Sequence, residues 1–232
     1  MDTSGFKDKA GAESRILLLR GGHDADGAPL DVLIAGEHIA AVGAGGASLP
    51  LAGQARAVDM VGRTLLPAAA EPHAHLDKAL IGAGAVNPDG TLAGALAAME
   101  TAPMTCDAIL PRARRAAAIA LRHGFTAIRS HVDVPRSGEL SGVEALTELG
   151  RELGELLDLQ LVALVSGPVA GRDGRDLRRR LGAALDHGCH VVGGAPWLGK
   201  TPERSVDELT AAAKAMYLIQ GCAEAAIHNQ EP

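Results

Sequence analysis

From residue 15 to 66, apolar positions come in short runs separated by glycine, aspartate and proline: 15–20, 30–35, 38–42, 57–60 and 64–66, with 21–29 as an intervening turn. Runs of that length between turn residues predict strands, and the segment as a whole predicts a small β-rich, sandwich-like module. The tract Gly43-Ala-Gly-Gly is followed by Ser48, Leu49 and Pro50 instead of an opening helix, so it reads as a loop and not as a phosphate cradle.

After Pro67 the pattern changes to helical periods of 10–17 residues alternating with continuous apolar runs, the signature of an α/β region. Strands are expected at 65–72, 125–132, 159–165 and 189–195, the third apolar enough to be covered on both faces. Ser141-Gly-Val-Glu144 has the form of a capping box, opening a helix with Val143, Leu146, Leu153 and Leu157 on one face. Leu177, Leu181, Ala184 and Leu185 mark a second helix that closes at Gly188, and Thr201-Pro202 opens a third. Leu121-Arg-His-Gly124 and Leu185-Asp-His-Gly188 each precede a strand, an echo that suits a barrel and equally an open parallel sheet. Four βα units in the 166 residues from 67 onward fall short of the ~200 that a closed (β/α)8 barrel needs. The expected fold class is therefore α/β, the N-terminal half of a (β/α)8 TIM-type barrel (67–232) behind a β-rich module (1–66).

Composition narrows the function classes. Of 232 residues 47% are hydrophobic and only 2% aromatic, so the core must be built from Leu, Val, Ile and Ala. A net charge of -6 with no basic run among aromatics argues against nucleic acid. Arg178, Arg179 and Arg180, beside Asp173 and Asp176, read as a solvated helix face. Cys106, Cys189 and Cys222 lack metal-cluster or disulfide spacing, and no apolar stretch is long enough to serve as a signal core or to span a bilayer. A cytoplasmic protein without membrane or nucleic-acid partners is expected.

The chemistry sits in Glu71-Pro72-His73-Ala74-His75-Leu76-Asp77-Lys78. Two histidines one residue apart at a strand end point to the same side, because side-chain direction alternates, so both imidazoles can reach one Zn²⁺ or Fe²⁺ ion. His131 and Trp197 lie near strand ends and are candidates to line a pocket; packed structural roles explain them equally well. His123 and His187 fall in last helical turns, where the helix dipole accounts for them.

The order of a β-rich module, Gly-Arg-Thr-Leu-Leu-Pro67 and Glu71-Pro-His-Ala-His-Leu-Asp77 resembles the amidohydrolase superfamily, and its cytosine deaminase branch in particular. Thr126-Ala-Ile-Arg-Ser-His131-Val-Asp-Val is similar to that branch's second barrel strand, Asp158-Leu-Gln-Leu-Val-Ala163 to its third and His190-Val-Val-Gly-Gly-Ala-Pro196 to its fourth. The resemblance implies metal-dependent hydrolysis of a C–N bond other than a peptide bond in a cyclic amidine or amide, such as a pyrimidine-like heterocycle. It implies one divalent ion, with His73 and His75 as its first two ligands and a small heterocycle as substrate. The fourth strand lacks the lysine of binuclear relatives, and Ser166 stands where cytosine deaminases place a pyrimidine-binding glutamine; His131, Ser166 and Trp197 are the expected substrate-side residues.

No catalytic acid or base is assigned. The family's remaining ligands would fall beyond this chain, unless His228-Asn-Gln-Glu231 replaces the strand-five motif, so the site is expected to be incomplete in this chain. Two other readings stand beside the enzyme: a non-catalytic half-barrel that self-associates through its open edge, and an open-sheet binding protein.

Overall fold

The computed structural model of the chain describes residues 16–45, 48–49, 52–82, 86–87, 89–135, 137–167, 169, 171–172, 174–195, 202–220 and 224–227. Its contacts divide it into two compact units, Met1–Pro67 and Ala68–Pro232.

The first unit contains β1 (Ile16–His23), β2 (Pro29–Ala35), β3 (His38–Gly43) and β4 (Arg56–Asp59). They form one sheet in the order β3-β2-β1-β4, with β1 antiparallel to β2 and parallel to β4. A sandwich was expected; among the described residues there is this single sheet. Leu18, Leu33 and Ala35 are its buried hydrophobic residues, on the alternation that a half-covered sheet requires. Residues 64–66 do not form a strand: Thr64 makes one isolated bridge to His23, and the Leu65 N–H donates to the His23 carbonyl. Leu65 lies so close to Gly22 that a Cβ there would stand 2.9 Å from its side chain.

The second unit runs β5 (Ala69–Ala74), α1 (Leu92–Glu100), α2 (Cys106–Arg122), β6 (Phe125–Asp133), α3 (Ser141–Leu153), β7 (Asp158–Val165), α4 (Arg175–Asp186), β8 (Val191–Gly194), α5 (Pro202–Gln220) and β9 (Glu224–Ile227). The strands make a five-stranded sheet in chain order, every neighbouring pair parallel. Four strands were expected. The fifth, β9, is a short Ala-rich segment with almost no β-branched character, and pairing with β8 decides its state.

Successive residues of β7 alternate in direction. Leu161, Ala163 and Val165 join Ile109 and Ala113 of α2, Val143, Leu146 and Leu149 of α3, and Leu177, Leu181 and Leu185 of α4 in one apolar cluster. Val162 and Leu164, facing the other way, are just as buried. Each fully buried Leu or Val contributes about 1.5–3 kcal/mol, so this cluster dominates the unit's stability.

Several local expectations are corrected. The Ser141 capping box does not form: Leu140 is the N-cap, with no side-chain cap hydrogen bond, and the Glu144 N–H donates to its carbonyl. Leu157 falls outside that helix, in a turn leading to β7. Of the three arginines read as solvated, only Arg179 behaves so, in an exposed ion pair with Asp176. Arg178 donates to the carbonyls of Val169 and Gly171, and Arg180 to those of Pro135 and Gly138. They tie down the loops that follow β7 and β6, which a charge pattern along one helix does not reveal. His123 and His187 end their helices with Nδ1 at 2.8 and 2.7 Å from the Ile119 and Ala183 carbonyls, matching the helix-terminus reading. Among the described residues no helix is long and apolar enough to cross a membrane.

Candidate functional site

In a parallel sheet all strands end on one side, and the segments just beyond those ends are free to carry polar groups. Here that edge holds His73 from β5, His75 just after it, His131 and Asp133 from β6 and Ser166 after β7.

Strand β5 is the least regular in the sheet. Among the described residues it pairs only with β6, and the register slips between Ala69 and Ala70 and again between Glu71 and Ala74. Pro72 supplies no N–H to the ladder. The Glu71 carboxylate accepts from the His73 N–H at 3.0 Å, closing a local turn at the register slip. His73 is exposed at the strand end, and His75, half-buried, lies one residue past Ala74.

The two imidazoles come together as their spacing predicts, with centroids 5.3 Å apart and planes inclined by 59°. His131, 4% exposed, joins them: its ring stacks on His73 at 4.2 Å and 19°, and stands 5.6 Å from His75 at 42°. Ser166 is exposed at the end of β7, one strand beyond β6, and has no part in this ring cluster. Trp197, His228 and Glu231 lie outside the described residues.

Immediately after His75 the chain is bolted to β6. The Leu76 N–H donates to the buried Ser130 hydroxyl at 3.0 Å, and the Asp133 N–H donates to Asp77 Oδ2 at 3.1 Å. Lys78 Nζ reaches Asp133 at 2.8 Å and Asp77 at 3.5 Å. From α2, Arg112 donates to the carbonyls of Asp77 and Ala79, each at 3.3 Å. Gly142, at the start of α3, lets that helix approach: a Cβ there would stand 2.9 Å from Val132 and 3.7 Å from Asp77.

Asp77 is 1% exposed, and its Oδ1 has no hydrogen-bond partner. Burial pushes its carboxyl above the usual range; Lys78 pulls it back, the like charge of Asp133 adds to the rise, and the Asp133 N–H lowers it. Sequence reasoning quoted Asp77, Lys78 and Asp133 inside motifs but gave them no task. The available signal was a charged pair placed directly after the metal-type histidines.

The donor set suits a borderline ion such as Zn²⁺ or Fe²⁺, since imidazole nitrogen is a preferred ligand for both. Inclined ring planes intersect, so the lone pairs of His73 and His75 are able to meet at one point. Lys78 Nζ lies 3.5 Å from His75 Nδ1. An ammonium only donates, so this contact uses the Nδ1 lone pair; an ion at Nδ1 replaces it, and one at Nε2 requires the other tautomer. Among the described residues no three His, Cys, Asp or Glu side chains are arranged to hold an ion, so the pair supplies at most two ligands there.

No protein-family model matches the chain. A curated relative, N-isopropylammelide isopropyl amidohydrolase of Pseudomonas sp. (strain ADP), is 30% identical over 147 residues, which is 59% of this chain and 35% of that protein. Among solved structures, N-isopropylammelide isopropylaminohydrolase from Burkholderia multivorans is 25% identical with a TM-score of 0.70, over 93% of this chain and 54% of its own. The 5-methylcytosine deaminase of Klebsiella pneumoniae, liganded with 5-fluorocytosine, shares the fold at 24% identity and a TM-score of 0.68, over 91% of this chain and 51% of its own. The chain thus spans about a third to a half of the length of these proteins.

Proposed function

We propose that the chain is part of an amidohydrolase-superfamily protein and that it serves metal-dependent hydrolysis of a C–N bond, other than a peptide bond, in a cyclic amidine or amide such as a pyrimidine-like or triazine-like ring. Its relatives are named amidohydrolases and deaminases, hydrolases of this bond class. The observation that carries the reading is the convergence of His73 and His75 at the C-terminal end of β5, rings 5.3 Å apart and inclined by 59°.

In this reading the five parallel strands are the opening portion of a (β/α)8 barrel (67–232), behind a β-rich module (1–66). His73 and His75 hold one divalent ion, Zn or Fe. When bound, such an ion would acidify a coordinated water, towards a pKa of ~7 in a complete site. The chain's own residues orient and exclude. Ser130, Asp77 and Arg112 fix the backbone on which His75 rides, and the Lys78 ammonium with the Asp77 and Asp133 carboxylates sets the charge beside it. Ser166 and Trp197, together with the face of His131, are the proposed substrate side. A cytoplasmic location is part of the same proposal.

The test pairs the wild-type chain with His73→Ala/His75→Ala, measuring metal content by mass spectrometry and ammonia or alkylamine release from a panel of aminopyrimidines and aminotriazines. Because the pair supplies two ligands, the expected outcome is weak divalent-metal retention by the wild type, lost in the double variant, with no detectable release unless metal is held, and any release following the metal. Release that survives the double substitution contradicts the reading.

A further inference from the structure

His131 differs from the two proposed ligands in both place and geometry. It sits within β6, in register with Val162 of β7 and 4% exposed, whereas His73 is exposed on β5 where the register slips. An imidazole binds an ion along an in-plane lone pair at ~2.0–2.1 Å. The His73 and His131 rings are stacked at 4.2 Å with planes only 19° apart, so their lone pairs run in nearly parallel, separate planes. One ion cannot lie on both. The 59° inclination between His73 and His75 permits what the stack forbids.

We propose that His131 is a positioning residue: its buried ring face holds the His73 imidazole in the plane that converges with His75, without itself binding the ion. This rests on the metal reading of His73 and His75. The need for it follows from the local chain. Pro72 supplies no N–H and the register slips between Glu71 and Ala74, so β5 is irregular where His73 sits and its side chain gains from a second support. β6 supplies it, from a stretch that is already rigid. Ser130 and Asp133, flanking His131, grip Leu76 and Asp77 through hydrogen bonds of 3.0 and 3.1 Å. One four-residue piece of β6 therefore sets both the backbone after His75 and the ring plane of His73.

The experiment measures Co²⁺ and Zn²⁺ affinity of the full chain by competition with a chromophoric chelator, for wild type, His131→Phe, His131→Ala and His73→Ala/His75→Ala. The visible spectrum of bound Co²⁺ is recorded alongside. Phenylalanine keeps a stacking face and has no ligand atom. His131→Phe should bind within about threefold of wild type with an unchanged cobalt spectrum, and His131→Ala should weaken binding about tenfold, the usual cost of losing a residue that orients a ligand. Should His131→Ala not fold, His131→Leu, similar in bulk but without a ring face, replaces it with the same expectation. The inference is overturned if His131→Phe falls as far as His131→Ala with an altered spectrum, which would make His131 a ligand, or if His131→Ala binds as tightly as wild type.

The stack itself is read in the ion-free chain, as ring-current shifts of the His73 ring protons that His131→Phe keeps and His131→Ala loses. Equal shifts in all three proteins would also overturn the inference. Wild type binding no better than His73→Ala/His75→Ala, with the ring-current shifts intact, would instead refute the metal reading and the proposed role with it.

Discussion

Strands β5 and β7 belong to the same parallel sheet and are built on opposite terms. β7 is held on both sides, pairing residue for residue with β6 from Asp158 to Leu164, and its last five residues are all buried. β5 pairs on one side among the described residues, its register slips twice, and none of its six residues is buried. A strand buried on both faces has few side chains to offer an ion or a substrate, whereas an irregular, unburied strand can, provided something else fixes its geometry. Here β6 provides it, through Ser130, His131 and Asp133. Stability and chemistry are thus separated by two strand positions.

The sharpest way to break that comparison is to exchange their sensitivities. Val162→Asp places an unpaired charge in a fully buried position of β7 and should cost more than about 4 kcal/mol, abolishing cooperative urea unfolding. His73→Ala on β5 should leave the urea midpoint within about 0.5 kcal/mol of wild type while removing divalent-metal uptake. A large stability loss from His73→Ala would mean that β5 is part of the core after all.

Asp77 probes the joint between the two regimes. Asp77→Ala leaves the Asp133 N–H without its acceptor and should cost about 1–3 kcal/mol. Asp77→Asn keeps an acceptor oxygen and loses a charge that burial disfavours, so it should cost less than about 1 kcal/mol. Urea titrations of the two variants decide. Equal losses would show that the charge, and not the hydrogen bond, holds the segment.

The smallest effect is a pH effect on the buried side. Cys189, just before β8, has its thiol pushed by burial from 9.0 up to about 12. The folded chain then keeps the thiol proton that the unfolded chain releases. Stability should therefore fall as pH rises from about 9 towards 12, by at most about 1.4 kcal/mol for each pH unit, and less with partial solvent access. Cys189→Ala should flatten that slope between pH 9 and 10.5 and leave stability below pH 8 without a new pH dependence. An unchanged slope would place the alkaline sensitivity elsewhere.

The same contrast governs what could be read from the chain. β7 and the inner face of α4 were legible because burial imposes a period: Leu177, Leu181, Ala184 and Leu185 are all buried as their spacing requires. β5 was legible only as a motif. Its expected start at 65 was misplaced because Leu65 and Leu66 look like the beginning of an apolar strand, whereas Leu65 packs over Gly22 in the first unit and the strand begins at Ala69. The His73–His75 convergence followed from side-chain alternation, but the His131 stack and the Asp77 latch join residues 58 and 56 positions apart, and no local pattern encodes such a meeting. Ser141-Gly-Val-Glu144 had the letters of a capping box, yet the helix begins at Leu140, with Gly142 serving the close approach to Val132 and Asp77 instead.

The central claim, that His73 and His75 share one divalent ion, is tested most directly by anomalous diffraction at the zinc edge from crystals of the full chain grown with Zn²⁺. The account predicts one peak with a nitrogen of each of these imidazoles ~2.0–2.1 Å away and His131 beyond coordination distance. A peak held by Asp77 and Asp133 instead, or no peak at the two imidazoles, would contradict it.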